Sequence, residues 1–351
     1  MNAWNKNEIL KYAKGNDFLQ VQEIGELAHL INIPMKDLFT IIENSAESYR
    51  TFKIPKKRGG YREIHSPNSK LKLVQSRINY LLNILYYGMR PACVHGFVKT
   101  IPDQGKAFSI VSNAAPHVKA QFVLNIDLAD FFHTIDIWRV KRVFMSYPFF
   151  FCNDVAAHLA LLTTYQDRLP MGAPTSPVIS NLACFLFDRR MMRFAEEQQL
   201  TFTRYADDLT FSSNQKISDT TISAIKDIIT SYGFVVNEQK TRTFTAIGSQ
   251  VVTGLKVNEK VNVDRTYIRN IRAMLHNWDK NGLVKAAAQN LNEYQFINIL
   301  KGKLDFLSMV RGKEDPVYQK LFDHFLGLCR ISEFANGKTW LQQQGSDALY
   351  R

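Results

Sequence analysis

Three aspartates carry the first chemical signal in this chain of 351 residues. Asp127 ends a short apolar run from Gln121 (Gln-Phe-Val-Leu-Asn-Ile-Asp), and Asp207-Asp208 follow Tyr205-Ala206 between two β-rich stretches. A buried strand end and a hairpin tip are places where three carboxylates can converge on one side of a sheet. Hard oxygen ligands without a neighbouring His/Cys set favour Mg²⁺, which takes carboxylates together with substrate phosphates. Two such ions can activate an attacking hydroxyl and stabilise the leaving oxygen of an in-line phosphoryl transfer. The same residues also fit ordinary turn chemistry, with Asp127 as a cap. The acids alone leave both open.

The elements around them follow from periodicity and punctuation. Residues 1–50 read as helical, with amphipathic stretches at Ile24–Ile31 and, after Pro34, at Met35–Ile42. Phe52–Ile54 and Tyr61–Ile64 flank Lys57-Arg58-Gly59-Gly60, which suits a hairpin. A helix over 70–87 follows, ended by Gly88 and Pro91. The run 121–127 is continuous enough for a strand buried on both faces, and helices are expected near 136–146 and 153–164. Ser176-Pro177 reads as an N-cap with proline at the first helical position, opening one helix to about Gln199. Thr201–Tyr205 and Leu209–Ser213 form a second hairpin. A helix through Ile222–Ile229 stops at Gly233, and short strands are expected around 234–236, 241–245, 251–257 and 261–263. From Thr266 onward the pattern is helical. Helices, then mixed strands and helices, then helices suggest an α+β body with helical lobes.

The charge is lopsided. Lys and Arg total 44 against 32 Asp and Glu, a formal +12 that points to a polyanion as partner. Between Arg50 and Arg77 nine basic residues meet one acid, Glu63, so this segment alone holds +8 of that charge. A solvated basic loop would also look like this, but Ile54, Tyr61, Ile64, Leu71, Leu73 and Val74 are interleaved as in an ordered hairpin leading into a helix. No apolar run follows the N-terminal residues as a signal peptide would require. The greasiest stretch, Val143–Phe151, is far short of the ~20 residues of a membrane span. Cys93, Cys152, Cys184 and Cys329 lie far apart, as expected of reduced core thiols in a cytoplasmic protein.

Six blocks, two of them holding the three aspartates, resemble those of the reverse transcriptases, in the family's order, over residues of about 50 to 260. Tyr61-Arg62-Glu63-Ile64-His65-Ser66-Pro67 resembles the first fingers block, with Gln75 following. Asn125–Phe132 resembles the first catalytic block and Leu169–Pro177 the block that supports template and nucleotide. Tyr205-Ala206-Asp207-Asp208 is the hallmark. Gly233 with Asn237, Lys240 and Thr241 fits the next block, and Gly254-Leu255 the one after. The resemblance implies a right-hand polymerase: an N-terminal helical extension over 1–49, fingers over 50–120, and a palm of antiparallel sheet plus helices over 121–264, with fingers elements around 136–170. A helical, RNA-binding thumb would occupy 265–351. It implies two Mg²⁺ held by Asp127, Asp207 and Asp208 with the Leu128 carbonyl as an added ligand. Arg62 and Lys57 would clamp the incoming deoxynucleoside triphosphate, beside Gly172, with Lys240 near its phosphates. Phe132 would lie under the sugar and collide with a 2′-OH. Met171 stands where the family commonly has Gln, which removes a polar template contact.

Two short strings narrow the resemblance to the retron reverse transcriptases. Asn113-Ala114-Ala115-Pro116-His117 resembles their Asn-Ala-x-x-His signature and Val252-Thr253-Gly254 their Val-Thr-Gly signature. A helix cap, a core histidine and a strand turn would explain the same residues. Such enzymes copy part of a structured non-coding RNA into DNA from the 2′-OH of a guanosine in it, leaving a branched RNA–DNA hybrid. Asn113, His117, Val252, Thr253 and Gly254 then become candidates for RNA recognition. Residues 266–351 carry a net +4 with Tyr267, His276, Trp278, Tyr294 and Trp340 among them, aromatics that could stack exposed bases or build a helical core. About ninety residues leave no room for an RNase H domain, so a host RNase H would remove RNA, and a separate effector protein would complete an antiphage unit.

Other classes are a group II intron-like or abortive-infection reverse transcriptase, a catalytically silent RNA-binding scaffold, and a metal-dependent nuclease. The intact Asp127/Asp207/Asp208 set disfavours the scaffold. Arg62 and Phe132 at their block positions disfavour the nuclease, and the lack of an appended maturase or endonuclease sequence disfavours the intron type.

Overall fold

A near-continuous apolar strand must be covered on both faces, and β3 (Phe122–Ala129) lies inside the main sheet of the first unit for that reason. The computed structural model describes residues 14–56, 59–99, 108–287 and 291–336. The chain forms two compact units, Met1–Gly248 and Ser249–Arg351.

In the first unit, α1 (Ile24–Leu30) and α2 (Met35–Glu43) precede a hairpin of β1 (Tyr49–Pro55) and β2 (Tyr61–Pro67), antiparallel with Ile54 opposite Arg62. The basic segment is therefore ordered on both sides of its turn, with most of its side chains exposed. Helix α3 (Ser69–Met89) follows, capped by the Asn68 side chain on the Leu71 amide at 3.0 Å. A short helix α4 (Ile110–Ala114) leads to β3, then α5 (Ile137–Met145), α6 (Asn153–Thr163), α7 (Ser176–Ala183) and α8 (Phe185–Glu197). The hairpin β4 (Thr201–Tyr205) and β5 (Asp208–Ser213) follows. Helix α9 (Asp219–Ser231), β6 (Val235–Val236) and β7 (Arg242–Thr245) complete the unit.

The sheet is antiparallel throughout, in the order β4-β5-β3-β6, with β7 also on β3. The outer edge of β4 is covered by residues 93–95: the Arg204 amide donates to the Cys93 carbonyl at 2.7 Å and the His95 amide to the Arg204 carbonyl at 2.9 Å. Helices α1, α2 and α3 pack on α6, and α7 on α3 and α5, around Phe18, Leu71, Ile78, Phe144, Leu159 and Phe187, all buried.

Two expectations for this unit change. The helix foreseen from Ser176 to Gln199 is interrupted at Cys184, where Arg139 Nη2 donates to the Ala183 carbonyl at 3.3 Å, a side chain inserted into the helical ladder. Ser176 is itself the first helical residue, so Thr175 occupies the N-cap position. Of the four thiols foreseen in the core, Cys152 is exposed, because it sits at the surface start of α6.

In the second unit, β8 (Val251–Val252) and β9 (Leu255–Lys256) form a hairpin in place of the strand foreseen over 251–257. Thr253 and Gly254 both have positive φ, +45° and +83°, the signature of a tight two-residue turn. The strand foreseen at 261–263 is a single bridge, Asn262 to Lys256, because Asp264 caps α10 (Arg265–Asn281) and turns the chain away. Helices α11 (Leu283–Ala287), α12 (Glu293–Arg311) and α13 (Pro316–Asn336) complete the unit. Trp278 is buried against Phe296 and Phe325, so it is core. Tyr267 is half-buried, with its hydroxyl on the Lys303 carbonyl at 3.2 Å, while His276 and Tyr294 are exposed. Trp340 lies outside the described residues. Among those described, no helix is long and apolar enough to cross a membrane.

The most demanding contact in the first unit is ionic. Arg204 on β4 is fully buried, and its guanidinium meets the buried Asp188 of α8 through Nε–Oδ1 at 2.6 Å and Nη2–Oδ2 at 2.7 Å. Its Nη1 donates to the Ala206 carbonyl at 3.0 Å. Truncating one member of such a pair strands the other charge. Arg204→Ala is therefore expected to cost about 3–5 kcal/mol in urea unfolding, and Arg204→Lys less, since it keeps the charge but not the fork. A cost below about 1 kcal/mol for Arg204→Ala would contradict the anchoring role.

Candidate active site

The register of the two central strands sets the site. Asp127 on β3 lies opposite Asp208 on β5, and the Leu128 amide donates to the Asp207 carbonyl at 3.0 Å. Asp207 is the second residue of the β4–β5 turn, whose first residue, Ala206, is buried at φ +57°. Gly96 packs on that turn so closely that a Cβ there would stand 2.5 Å from the Ala206 nitrogen. Asn181 Nδ2, in turn, donates to the Gly96 carbonyl at 3.0 Å. The tip carrying Asp207-Asp208 is thus held from below by Arg204 and from the side by Gly96.

Behind the tip, His117 ties the strands together. Its Nδ1 lies 2.7 Å from Ser212 Oγ on β5 and its Nε2 2.7 Å from Thr203 Oγ1 on β4. Burial, then His95, pushes its pKa down to about 3, so the ring is neutral and donates from one nitrogen while accepting at the other. Asn113 is buried as well, its carbonyl accepting from Thr203 Oγ1 at 3.4 Å. Neither side chain is exposed to an RNA. The second short signature behaves differently: Val252 is core, but Thr253 is half-exposed and Gly254 exposed at the tip of the β8–β9 hairpin.

The electrostatics are those of crowded acids. Burial, then Asp207 and Asp127, push the Asp208 carboxyl up to about 7, with Lys240 opposing. Asp208 is solvent-accessible, so the protein mass behind it desolvates it only in part. Asp207 is raised too, by burial and then Asp127, with Lys240 and Arg62 opposing. Arg62 on β2 thus acts on the carboxylate group. Asp127 is the best supported of the three acids: Lys240 Nζ donates to its two oxygens at 2.8 and 3.1 Å and Asn237 Nδ2 to Oδ1 at 3.0 Å. Lys240, foreseen at nucleotide phosphates, is here on the carboxylate, with 56% of its side chain exposed.

Gly172 has φ +127° and would bring a Cβ to 2.9 Å of the His65 carbonyl, while the His65 amide donates to the Met171 carbonyl at 2.8 Å. The Leu169–Pro177 block is thereby locked to the strand that carries Arg62. Phe132 is half-buried between Phe97 and Phe131, at ring distances of 5.9 and 5.5 Å. Lys57 lies outside the described residues.

No three His, Cys, Asp or Glu side chains among the described residues form a ready metal cage. The donor set nevertheless suits a hard cation that brings its own waters or phosphates, since Asp127 raises both Asp207 and Asp208, and among the described residues no Lys or Arg forms an ion pair with either. Asp188, Arg204 and Gly96 are the neighbours that spacing does not reveal, whereas Asn237 belongs to the block that begins at Gly233.

Comparison with known proteins bears on these residues. The family model described as reverse transcriptase (RNA-dependent DNA polymerase), a family that generally uses divalent metals, matches residues 54–294. The Retron Mx65 reverse transcriptase of Myxococcus xanthus is 35% identical over 266 residues, 70% of this chain and 59% of that protein, so the match spans less than two thirds of that relative. The Retron Ec86 reverse transcriptase of Escherichia coli is 33% identical over 264 residues, 73% of this chain and 78% of that protein. Among solved structures, telomerase from Candida albicans aligns with a TM-score of 0.46 at 10% identity, over 82% of this chain and 64% of that one.

The raised Asp208 carboxyl has a signed consequence for stability. Its contribution is full below the ordinary value of 3.8 and is lost as pH rises through about 7. In metal-free protein, Asp208→Asn is therefore expected to raise the thermal midpoint at pH 8 by about 2–4 °C, on the order of 1 kcal/mol after solvent screening. That gain should shrink as pH falls toward 4. A loss at pH 8, or a gain that ignores pH, would contradict the crowding.

Proposed function

The chain belongs to the reverse transcriptases of retron type, and from that membership we propose that it is an RNA-directed DNA polymerase that copies part of a structured non-coding RNA into single-stranded DNA, starting at an RNA 2′-OH. The observation that carries this reading is the pairing of Asp127 with Asp208 across the two central strands, with Asp207 beside them and Arg62 acting on the group. In this reading the sheet is the palm, the β1–β2 hairpin belongs to the fingers and the helices of the second unit form the thumb.

Asp127, Asp207 and Asp208, with the Leu128 carbonyl, would hold two Mg²⁺, whose chemistry is to lower the pKa of the attacking hydroxyl and neutralise charge on the leaving pyrophosphate. The chain's own residues set up the rest. Arg62, joined by Lys57, offers a planar guanidinium to the triphosphate oxygens, and Gly172, whose missing Cβ lets its loop pack on the strand of Arg62, lies beside them. Lys240 holds Asp127 and is exposed enough to turn toward a phosphate. Phe132 would lie under the sugar and exclude a 2′-OH.

His117 and Asn113 serve this function by bracing β4 and β5. Val252 seats the exposed Thr253-Gly254 tip, which is the part of the two signatures that can meet RNA. The cytoplasm is the working compartment in this reading, with the RNA and its cDNA hybrid as partners. A host RNase H removes copied RNA, and a separate effector gives the system its antiphage output.

Two outcomes test this. Asp207→Asn with Asp208→Asn is expected to abolish Mg²⁺-dependent incorporation of deoxynucleotides on an RNA template while RNA binding persists within about twofold; retained synthesis would refute the carboxylate assignment. Phe132→Ala is expected to raise ribonucleotide incorporation by at least about tenfold, the order that one steric contact supplies. Unchanged sugar selection would remove Phe132 from the gate.

A further inference from the structure

A second site stands apart from the carboxylates. A cleft of about 720 Å³ opens between α5, the α7–α8 junction and the end of α9, lined by Arg139, Arg142, Tyr147, Phe185, Leu186 and Arg189 among others, and by none of the carboxylates or nucleotide-site residues assigned above. Two of its lining side chains are apolar and exposed, Tyr147 at 62% and Leu186 at 66%, and Phe150 beside Tyr147 is 69% exposed. Phe150, Tyr147 and Phe185 form a ladder of rings, with centroids 6.2 Å apart between the first two and 6.3 Å between the last two. Arg189 lies over the Phe185 ring at 5.8 Å.

The charge is one-sided. Three arginines face one lining acid, Asp136, whose carboxylate already caps α5 by accepting from the Arg139 amide at 2.7 Å. Arg139 is committed to the fold, donating to the Tyr232 carbonyl at 2.9 Å and stacking on Phe234 at 4.2 Å. Arg142 and Arg189 are exposed, and neither guanidinium has a hydrogen-bond or ion-pair partner among the described residues. Exposed guanidinium groups at Arg142 and Arg189 beside the exposed rings of Tyr147 and Phe150 and the half-buried Phe185 are the recognition chemistry of unpaired nucleotides, whose bases stack and whose phosphates pair with arginine. A protein partner for this face would need carboxylates to meet the same two arginines.

We propose that this cleft is a second nucleic-acid site, which holds an unpaired RNA segment with its bases on Phe150, Tyr147 and Phe185 and its phosphates on Arg142 and Arg189. The site tethers the RNA away from the point of synthesis. It does not depend on the polymerase reading, because none of its residues takes part in the chemistry.

The test uses the full chain, with the carboxylate groove saturated by an unlabelled primer–template duplex, and a fluorescein-labelled single-stranded RNA of twelve nucleotides as probe. Arg142→Glu with Arg189→Glu is expected to weaken probe binding at least about tenfold. It should also lower the slope of log affinity against log salt by about 1.4, two phosphates at ~0.7 each. Primer extension by the same variant should stay within about twofold of the parent. Tyr147→Ala with Phe150→Ala should weaken the probe without changing the salt slope. A 4-thiouridine version of the probe should crosslink the unmodified protein within residues 142–150 or 185–189, a result that does not depend on any variant folding. Probe affinity within twofold of the parent in the charge-reversed protein, or crosslinks confined to other segments, would overturn the proposal. So would loss of a bound protein, rather than of RNA, on charge reversal.

Discussion

The buried pair of Arg204 and Asp188 is the constraint on which the carboxylate site rests. A guanidinium taken wholly out of water is tolerable only where a carboxylate meets it with both oxygens and its remaining donors are satisfied. Here Asp188 supplies the first condition and the Ala206 carbonyl part of the second. Because Ala206 is the first residue of the turn and Asp207 and Asp208 follow it, satisfying the arginine also sets the height of the two acids. Gly96 and Asn181 close the same turn from outside, and His117 ties the two strands behind it. A charge that is costly to bury is thereby made to orient charges that must stay open.

The acids work against the fold that presents them. Asp208 is raised by burial and then by Asp207 and Asp127, and Asp207 by burial and then by Asp127, whereas Asp127 carries Lys240 and Asn237. A sheet that was selected for stability alone would not place two carboxylates across adjacent strands, since like charges there repel. The arrangement makes sense when cations arrive with a substrate. In the proposed reading, the basic hairpin would face the triphosphate, and Arg142 and Arg189 of the second cleft would face RNA.

Much of this was legible in the residues. A continuous apolar run ending in Asp127, a hairpin with Asp207-Asp208 at its turn, and the ordered basic hairpin all follow from local pattern, because strand burial and turn chemistry are local. The interruption at Cys184 was not, since it depends on Arg139, over forty residues away. Nor was the Arg204–Asp188 pair: neither residue has a local reason to be buried. The Asn113–His117 string was legible as a signature but not as a brace, because its partners Thr203 and Ser212 come from strands about ninety residues later. At Val252–Gly254 the turn was one of two readings, a strand turn at Thr253-Gly254 or a signature within a strand over 251–257, and Gly254 was its local sign.

The most direct measurement is the chemical structure of the nucleic acid that copurifies with the full chain expressed from its native locus. If Asp127 and Asp208 make DNA on an RNA that also primes it, nuclease mapping will find single-stranded DNA joined through its 5′ end to a 2′-OH within an RNA. RNA alone, or linear host RNA with no attached DNA, would contradict it.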